Sequence, residues 1–150
     1  IPGVYETLGG VRSLAKAVNK DHRRAKPANH GERTVRLLAS MGFTTIVKVE
    51  HEQAHANKKK DLLACDYLAV RTPGLHKPSL TLVQVCSKAS ATARLKKMAF
   101  EKGLTEWIQA GGEVAALAWE KKLTKGGATK WVSHWTPCTV KSMEAIRRGA

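Results

Sequence analysis

The segment SLTLVQVCSKASATARLKKM, Ser79 to Met98, predicts a buried strand followed at once by a basic helix. Leucine and valine fill most of the strand, which is typical of a strand buried on both faces. Gln84 interrupts this apolar run, and Cys86 lies on the same face of the strand two residues later. A buried glutamine is usually a hydrogen-bonded core residue, so another role needs support from the rest of the chain.

The sequence around this segment predicts a sheet with helices packed on it. Apolar patterns follow one another as two helices, three strands, a helix, two strands and a final helix. This order predicts an α/β or α+β fold with a mixed central sheet of about five strands flanked by helices. The predicted helices are 11–24, 29–42, about 90–110 with a kink near Gly103, and 140–148; the predicted strands are 43–50, 61–71, 79–86, 111–123 and 128–136; a loop is predicted at 51–60.

A chain of 150 residues is the size of one domain. We divide it into a basic helical arm at 1–27, a core at 28–138 and a helical tail at 139–150. The first helix of the core has Asn29 as its candidate N-cap and Gly42 as the candidate residue just past its end.

The composition predicts an intracellular protein that does not enter a membrane. No apolar run approaches the ~20 residues of a membrane span, and the opening IPGVYETLGG lacks the pattern of a signal peptide. Three cysteines without CxxC spacing argue against a disulfide framework and a zinc knuckle. We expect the protein to be located in a reducing cytoplasm. A phage-encoded protein in the cytoplasm of its bacterial host is one such case.

Positive charge is the strongest signal in the composition. The chain has 26 Lys and Arg against 12 Asp and Glu, a net charge of +14, which favours a nucleic acid as partner over a merely basic soluble protein. Only 5% of residues are aromatic, so contacts with a duplex backbone are favoured over a base-stacking sheet. The 11–24 helix is either a phosphate-contacting arm or a solvated surface helix. The candidate DNA-contacting residues are Arg12, Lys16, Lys20, Arg23, Arg24, Lys58, Lys59, Lys60 and Lys88.

The letters HEQAH, His51 to His55, match the H-E-x-x-H pattern of zinc peptidases. That chemistry needs the two histidines one turn apart on a helix, with the glutamate activating water. Here the pattern follows a predicted strand and runs into ANKKKD, with almost no apolar stripe to seat a buried helix. A solvated loop is favoured, and a zinc peptidase is the remote alternative.

A second constellation comes from strand alternation. If strands 61–71 and 79–86 pair, Asp66 and Gln84 could converge at one end of the sheet, with Glu32 approaching from the preceding helix. Two carboxylates and an amide oxygen suit Mg²⁺. A buried aspartate must be paired or metal-bound, so a salt bridge to Lys or Arg is an equal alternative.

These elements together resemble the PD-(D/E)xK nuclease superfamily, and within it the small archaeal and phage-type Holliday-junction resolvases. The resemblance covers roughly Asn29 to Trp135. It lies in a helix with a glutamate, an aspartate on a second strand, a Gln on a third, and a basic helix after it. The segments that carry it are GERTVRLLASMGF, KKKDLLACDYLAVR, LTLVQVCSKASATARLKKM and WIQAGGEVAALAWEKK.

The resemblance implies a restriction-endonuclease-like sheet and a Mg²⁺ or Mn²⁺ site. Its metal ligands would be Asp66, Gln84 in the place of the usual acid, the Val85 carbonyl and Glu32, with Asp61 as a reserve for Asp66. The family's lysine is replaced here by Cys86, a thiol that cannot stabilise phosphorane charge as an ammonium does. The implied substitutes on the following helix are Arg94 and Lys97.

The function expected from this resemblance is metal-dependent hydrolysis of phosphodiesters in branched or structured duplex DNA, such as a four-way junction. Symmetric cleavage of a junction needs two active sites and hence a homodimer. The alternative is a catalytically degenerate domain of the same fold that binds DNA without cutting it, because Cys86 stands at the lysine position.

Overall fold

The computed structural model describes residues 29–49, 51–53, 58–60 and 63–149. Five strands form one mixed sheet, and four helices flank it, as the sequence predicted. A short 3₁₀ turn at Lys88–Ser90 joins the central strand to the helix after it. The helices are α1 His30–Ser40, α2 Ala91–Ala99, α3 Lys102–Gln109 and α4 Val140–Arg148; the strands are β1 Thr45–Lys48, β2 His51–Gln53, β3 Lys58–Lys60, β4 Tyr67–Arg71, β5 Ser79–Ser87, β6 Glu113–Leu123 and β7 Thr129–Cys138.

The strand order in the sheet is β1-β4-β5-β6-β7, so β5 is the central strand. β4 and β5 are antiparallel, with Tyr67 opposite Val83 and Leu68 opposite Leu82. β5 and β6 are parallel, and α2 and α3 make the crossover between them, as parallel neighbours require. β7 returns along β6 as the antiparallel partner in the hairpin that the sequence predicted.

Each face of the sheet has its own core. On one face Leu82 of β5 and Ala116 of β6 pack with residues of α2, α3 and α4, including the buried Leu104 and Met143. On the other face Val83, Leu117 and Trp119 pack with Leu38 of α1 and with Phe43 and Ile46. Successive side chains of a strand point to opposite faces, and the apolar run of β5 therefore serves both cores.

The ends of α1 are those that the sequence predicted. Asn29 Oδ1 accepts a hydrogen bond from the Glu32 N–H at 2.9 Å, which satisfies one of the free donors at the helix start. Gly42 has a φ of +92°, a conformation that favours glycine just past a helix end. Here a side chain would also collide with the ring of His76.

Three sequence predictions were wrong in their boundaries. The predicted loop at 51–60 contains β2 and β3, which pair as a separate two-stranded sheet. The predicted strand at 61–71 begins only at Tyr67, because Leu63 and Ala64 have positive φ angles of 50° and 59° and form a turn. The predicted helix at 90–110 is two helices that break at Phe100 and Glu101, before Gly103.

Part of the predicted chain lies outside the described residues. This part includes the arm at 1–27 with its five candidate DNA contacts, the reserve ligand Asp61, and His55 of the zinc motif. Within the ranges that the structure describes, none of the helices is both long and apolar enough to cross a membrane.

One hydrogen bond ties α1 to the sheet, and its loss is predicted to destabilise the fold. Trp119 Nε1 donates to Thr34 Oγ1 at 3.1 Å, and both residues are buried. Thr34→Val keeps the side-chain shape but leaves the indole N–H without that acceptor, so we expect the free energy of unfolding to fall by about 1–3 kcal/mol. Urea denaturation measures this change. Thr92→Val, at an exposed site on α2, is the matched control, and an equal effect of both substitutions would contradict the prediction.

Candidate metal centre

Backbone pairing places Asp66 beside the end of β5. Asp66 is the residue just before β4, and its N–H donates to the Val83 carbonyl at 2.9 Å. Its own carbonyl accepts from the Val49 N–H at 2.8 Å. The backbone of Asp66 is therefore hydrogen-bonded on both sides, to the segments that contain Val49 and Val83, one residue before the regular strand begins. The alternation of side chains along the strand puts the Asp66 side chain on the same face as Leu68.

Three residues nominated from the sequence meet here. Asp66 Oδ2 accepts hydrogen bonds from the Val85 backbone N–H at 2.8 Å and from Gln84 Nε2 at 3.0 Å. Gln84 Nε2 also donates to the Val85 carbonyl oxygen at 3.0 Å. One carboxylate, one amide and one backbone carbonyl therefore converge on the face of the sheet that α2 covers.

The amide of Gln84 is only half satisfied. The side chain is 2% exposed, and its Oε1 is buried without a hydrogen-bond partner in the part of the chain that the structure describes. An unsatisfied buried acceptor is costly and calls for an explanation. The NH₂ group of the same amide lies between Asp66 Oδ2 and the Val85 carbonyl oxygen, and a position between two oxygens suits a positive charge.

The donor set passes a test of fit to Mg²⁺. Rotating the amide by half a turn would bring Gln84 Oε1 to the Asp66 and Val85 oxygens, at the 3.0 Å that now separate Nε2 from each. An amide oxygen this close to a carboxylate oxygen and a carbonyl oxygen is repelled by both unless a cation lies between them. Neighbouring ligands of an octahedral Mg²⁺ at 2.0–2.1 Å are themselves about 3 Å apart. The orphaned oxygen and these spacings fit a Mg²⁺ ion held by Asp66, Gln84 and Val85.

The set contains a single carboxylate. Among the described residues no group of three or more His, Cys, Asp and Glu side chains could hold a metal ion. Mg²⁺ commonly keeps several water ligands and takes only one or two carboxylates together with substrate phosphates. A site of this kind is expected to bind Mg²⁺ weakly until phosphate oxygens complete the shell.

Glu32 lies at the same end of the sheet but over its other face. The start of α1 is near Tyr67, since a side chain on Gly31 would meet the tyrosine hydroxyl at 3.0 Å. α1 packs through Leu38 on the face of Val83, whereas Gln84 faces α2. The structure therefore brings Asp66, Gln84 and Val85 together on one face and leaves Glu32 on the opposite one.

Cys86 stands where the resemblance calls for a lysine, and its thiol is neutral. Burial raises the pKa of the Cys86 thiol, while the positive charge of Arg94 and a hydrogen bond to Ser90 act in the other direction. Arg94 is exposed on α2, the helix that follows Cys86. Lys97 is exposed one turn further along α2.

An ionic cluster that the sequence reasoning missed lies beyond Cys86. Glu120 Oε2 contacts Lys88 Nζ at 2.9 Å and His134 Nε2 at 2.7 Å, and Lys122 lies 3.9 Å from its other oxygen. The hydrogen bond from Lys88 is the main cause of a lowered Glu120 pKa. Lys88, a candidate DNA contact, is thus ion-paired. The feature that reveals this cluster is the parallel register of β5 and β6, which puts Glu120 one residue past the partner of Ser87. That register is set by tertiary pairing.

No protein-family model matches the chain, and no curated protein or solved structure matches it either. The functional proposal therefore rests on the geometry around Asp66 and Gln84 and on the charge of the chain.

Proposed function

We propose that this protein is a Mg²⁺- or Mn²⁺-dependent DNA endonuclease, similar to Holliday-junction resolvases, that hydrolyses phosphodiesters in branched or structured duplex DNA. The observation that carries the proposal is the convergence of the Asp66 carboxylate, the Gln84 amide and the Val85 carbonyl within 3.0 Å at the end of the central strand. The net charge of +14 supports a polyanionic substrate.

Each of the three residues has a distinct part in this proposal. The bound metal ion would act as a Lewis acid on the scissile phosphate and lower the pKa of a water ligand. Asp66 offers a carboxylate whose position is set by the Val85 N–H. Val85 offers its carbonyl from the rigid central strand, and Gln84 offers Oε1 once the amide has turned.

The basic side chains of α2 supply the charge that the thiol at position 86 lacks. Negative charge develops on the phosphate oxygens during hydrolysis, and a fixed cation nearby stabilises it. Arg94 is the first choice because its positive charge lowers the pKa of the Cys86 thiol, against the effect of burial. Lys97 is the second choice on the same helix. Glu32 is left out of the proposed ligand set, because it lies on the opposite face of the sheet.

DNA binding and assembly complete the proposal. Basic side chains of the arm and of β3 would contact the phosphate backbone without reading bases. A homodimer would present two sites to the strands of a four-way junction. A cytoplasmic location is proposed with it, in a cell or in a phage-infected bacterium.

The competing proposal is a nuclease-like domain that binds DNA and no longer cuts it. It is favoured by the hydrogen bonds of Gln84 Nε2 to Asp66 Oδ2 and to the Val85 carbonyl, because the amide NH₂ then takes the place of a cation. The neutral Cys86 at the lysine position favours it as well. A zinc peptidase is not proposed, since His51–Gln53 is a strand and its motif requires a helix.

Removal of the Asp66 charge is predicted to abolish metal-dependent cleavage. Asp66→Asn keeps the side-chain shape but loses the anionic ligand, so we expect cleavage of a labelled four-way junction in Mg²⁺ or Mn²⁺ to slow at least about a hundredfold. Glu106→Gln, at an exposed site on α3, is the matched control.

Three outcomes are informative in that assay. Cleavage by wild type that is lost only in Asp66→Asn supports the endonuclease. DNA binding without cleavage by wild type supports the non-catalytic domain. Cleavage that is unchanged in Asp66→Asn places the reaction at another site.

Gln84→Glu is predicted to make folding depend on a divalent cation. The new carboxylate would lie about 3 Å from the Asp66 carboxylate and repel it without a metal, whereas both would ligate a bound ion. In EDTA we expect the melting temperature of Gln84→Glu to lie several degrees below that of wild type, and in millimolar Mg²⁺ we expect it to recover. Gln109→Glu, exposed at the end of α3, is the control. Equal melting of Gln84→Glu with and without Mg²⁺ would contradict the metal centre.

A further inference from the structure

An exposed tryptophan near the start of β7, Trp131, is contacted by an arginine and a histidine of α1. The guanidinium carbon of Arg33, on α1, lies 4.0 Å from the centre of the Trp131 ring. The His30 ring meets the indole edge-on, with 5.1 Å between ring centres and 89° between planes. Arg33 Nη1 and His30 Nδ1 are 3.3 Å apart, which links the two side chains that hold the indole.

His30 acts here as a neutral acceptor. The arginine side chain can only donate hydrogen bonds, so His30 Nδ1, which accepts one from Arg33 Nη1, carries no proton. Burial, and next the charge of Arg33, lower the pKa of His30, in keeping with this arrangement. Arg33 and the neutral His30 therefore contact both the indole and each other.

The ring remains open to solvent although it is positioned. Trp131 is 39% exposed. Trp119, two residues before the β6 partner of Trp131, is 7% exposed and belongs to the core. Trp131 pairs with the exposed Lys121 of β6, so a second cation flanks it. An exposed indole with Arg33 over its ring and Lys121 as its cross-strand partner has the chemistry of a surface that stacks a base and contacts a phosphate.

Its place in the fold links it to the candidate metal centre. The Thr34–Trp119 hydrogen bond fixes the start of α1 over the ends of β5 and β6, the same end of the sheet at which Asp66 and Gln84 meet. Trp131 lies on the α1 face, and Gln84 lies on the α2 face.

We propose that Trp131 stacks against an unpaired nucleobase of the DNA substrate, while Arg33 and Lys121 contact the adjoining phosphates. This inference rests on the proposed function, because it requires that the chain binds DNA. It adds a preference: DNA with unpaired nucleotides, such as a gap or the centre of a junction, binds better than a continuous duplex. A fully stacked base pair offers no free face to the indole.

Binding to two matched probes tests the inference. One is a labelled duplex, and the other is the same duplex with a gap of three unpaired nucleotides, both measured in EDTA by fluorescence anisotropy. We expect Trp131→Ala to weaken binding to the gapped probe about tenfold and to leave the continuous duplex within about twofold. Trp131→Phe keeps an aromatic face and should recover part of the loss. Leu123→Ala, 78% exposed on the same hairpin, is the control.

A second readout reports stacking itself. With 2-aminopurine in the gap, wild type and Trp131→Phe should change its fluorescence, and Trp131→Ala should not. An equal loss on both probes, or no loss on the gapped probe, overturns the stacking role while the DNA-binding proposal stands. Wild type that binds neither probe overturns the DNA-binding proposal and this inference with it.

Discussion

The candidate site depends on one carboxylate oxygen, Oδ2 of Asp66, which receives the backbone N–H of Val85 and the amide of Gln84 at 2.8 and 3.0 Å. The antiparallel pairing of β4 with β5 makes this contact possible, because it lines up Tyr67 with Val83 and leaves Asp66 beside the residue that follows. Asp66 is half-buried, and a carboxylate withdrawn from water is stabilised by such partners. The end of β4 and the central strand β5 meet at that oxygen.

The two functional proposals differ in what lies opposite this oxygen. With the Gln84 NH₂ there, the site is a closed hydrogen-bond network with one orphaned oxygen, Gln84 Oε1. With a cation there, the same three residues present oxygens at spacings that Mg²⁺ uses. In the nuclease proposal Arg94 supplies the positive charge that the Cys86 thiol lacks. Turning the amide gives Gln84 Oε1 a ligand role and moves the NH₂ to the buried position that Oε1 now occupies.

Strand alternation predicted the meeting of Asp66 and Gln84 on the condition that their two strands pair, and β4 and β5 do pair. The turn at Leu63 and Ala64 was missed, since apolar residues there look like strand and their positive φ angles leave no mark in the sequence. Trp131 and Arg33 are almost one hundred residues apart, and only the register of β7 and the docking of α1 bring them together. Contacts of this kind are set by tertiary packing, which local patterns do not encode.

The most direct test of the metal centre is a crystal structure of the protein soaked in Mn²⁺, with anomalous scattering used to locate the ion. The account predicts a peak about 2.1–2.2 Å from Asp66 Oδ2 and the Val85 carbonyl oxygen, with the Gln84 amide turned so that Oε1 faces the ion. An absence of any peak at these oxygens at millimolar Mn²⁺, with Gln84 Nε2 still bonded to Asp66, would contradict it.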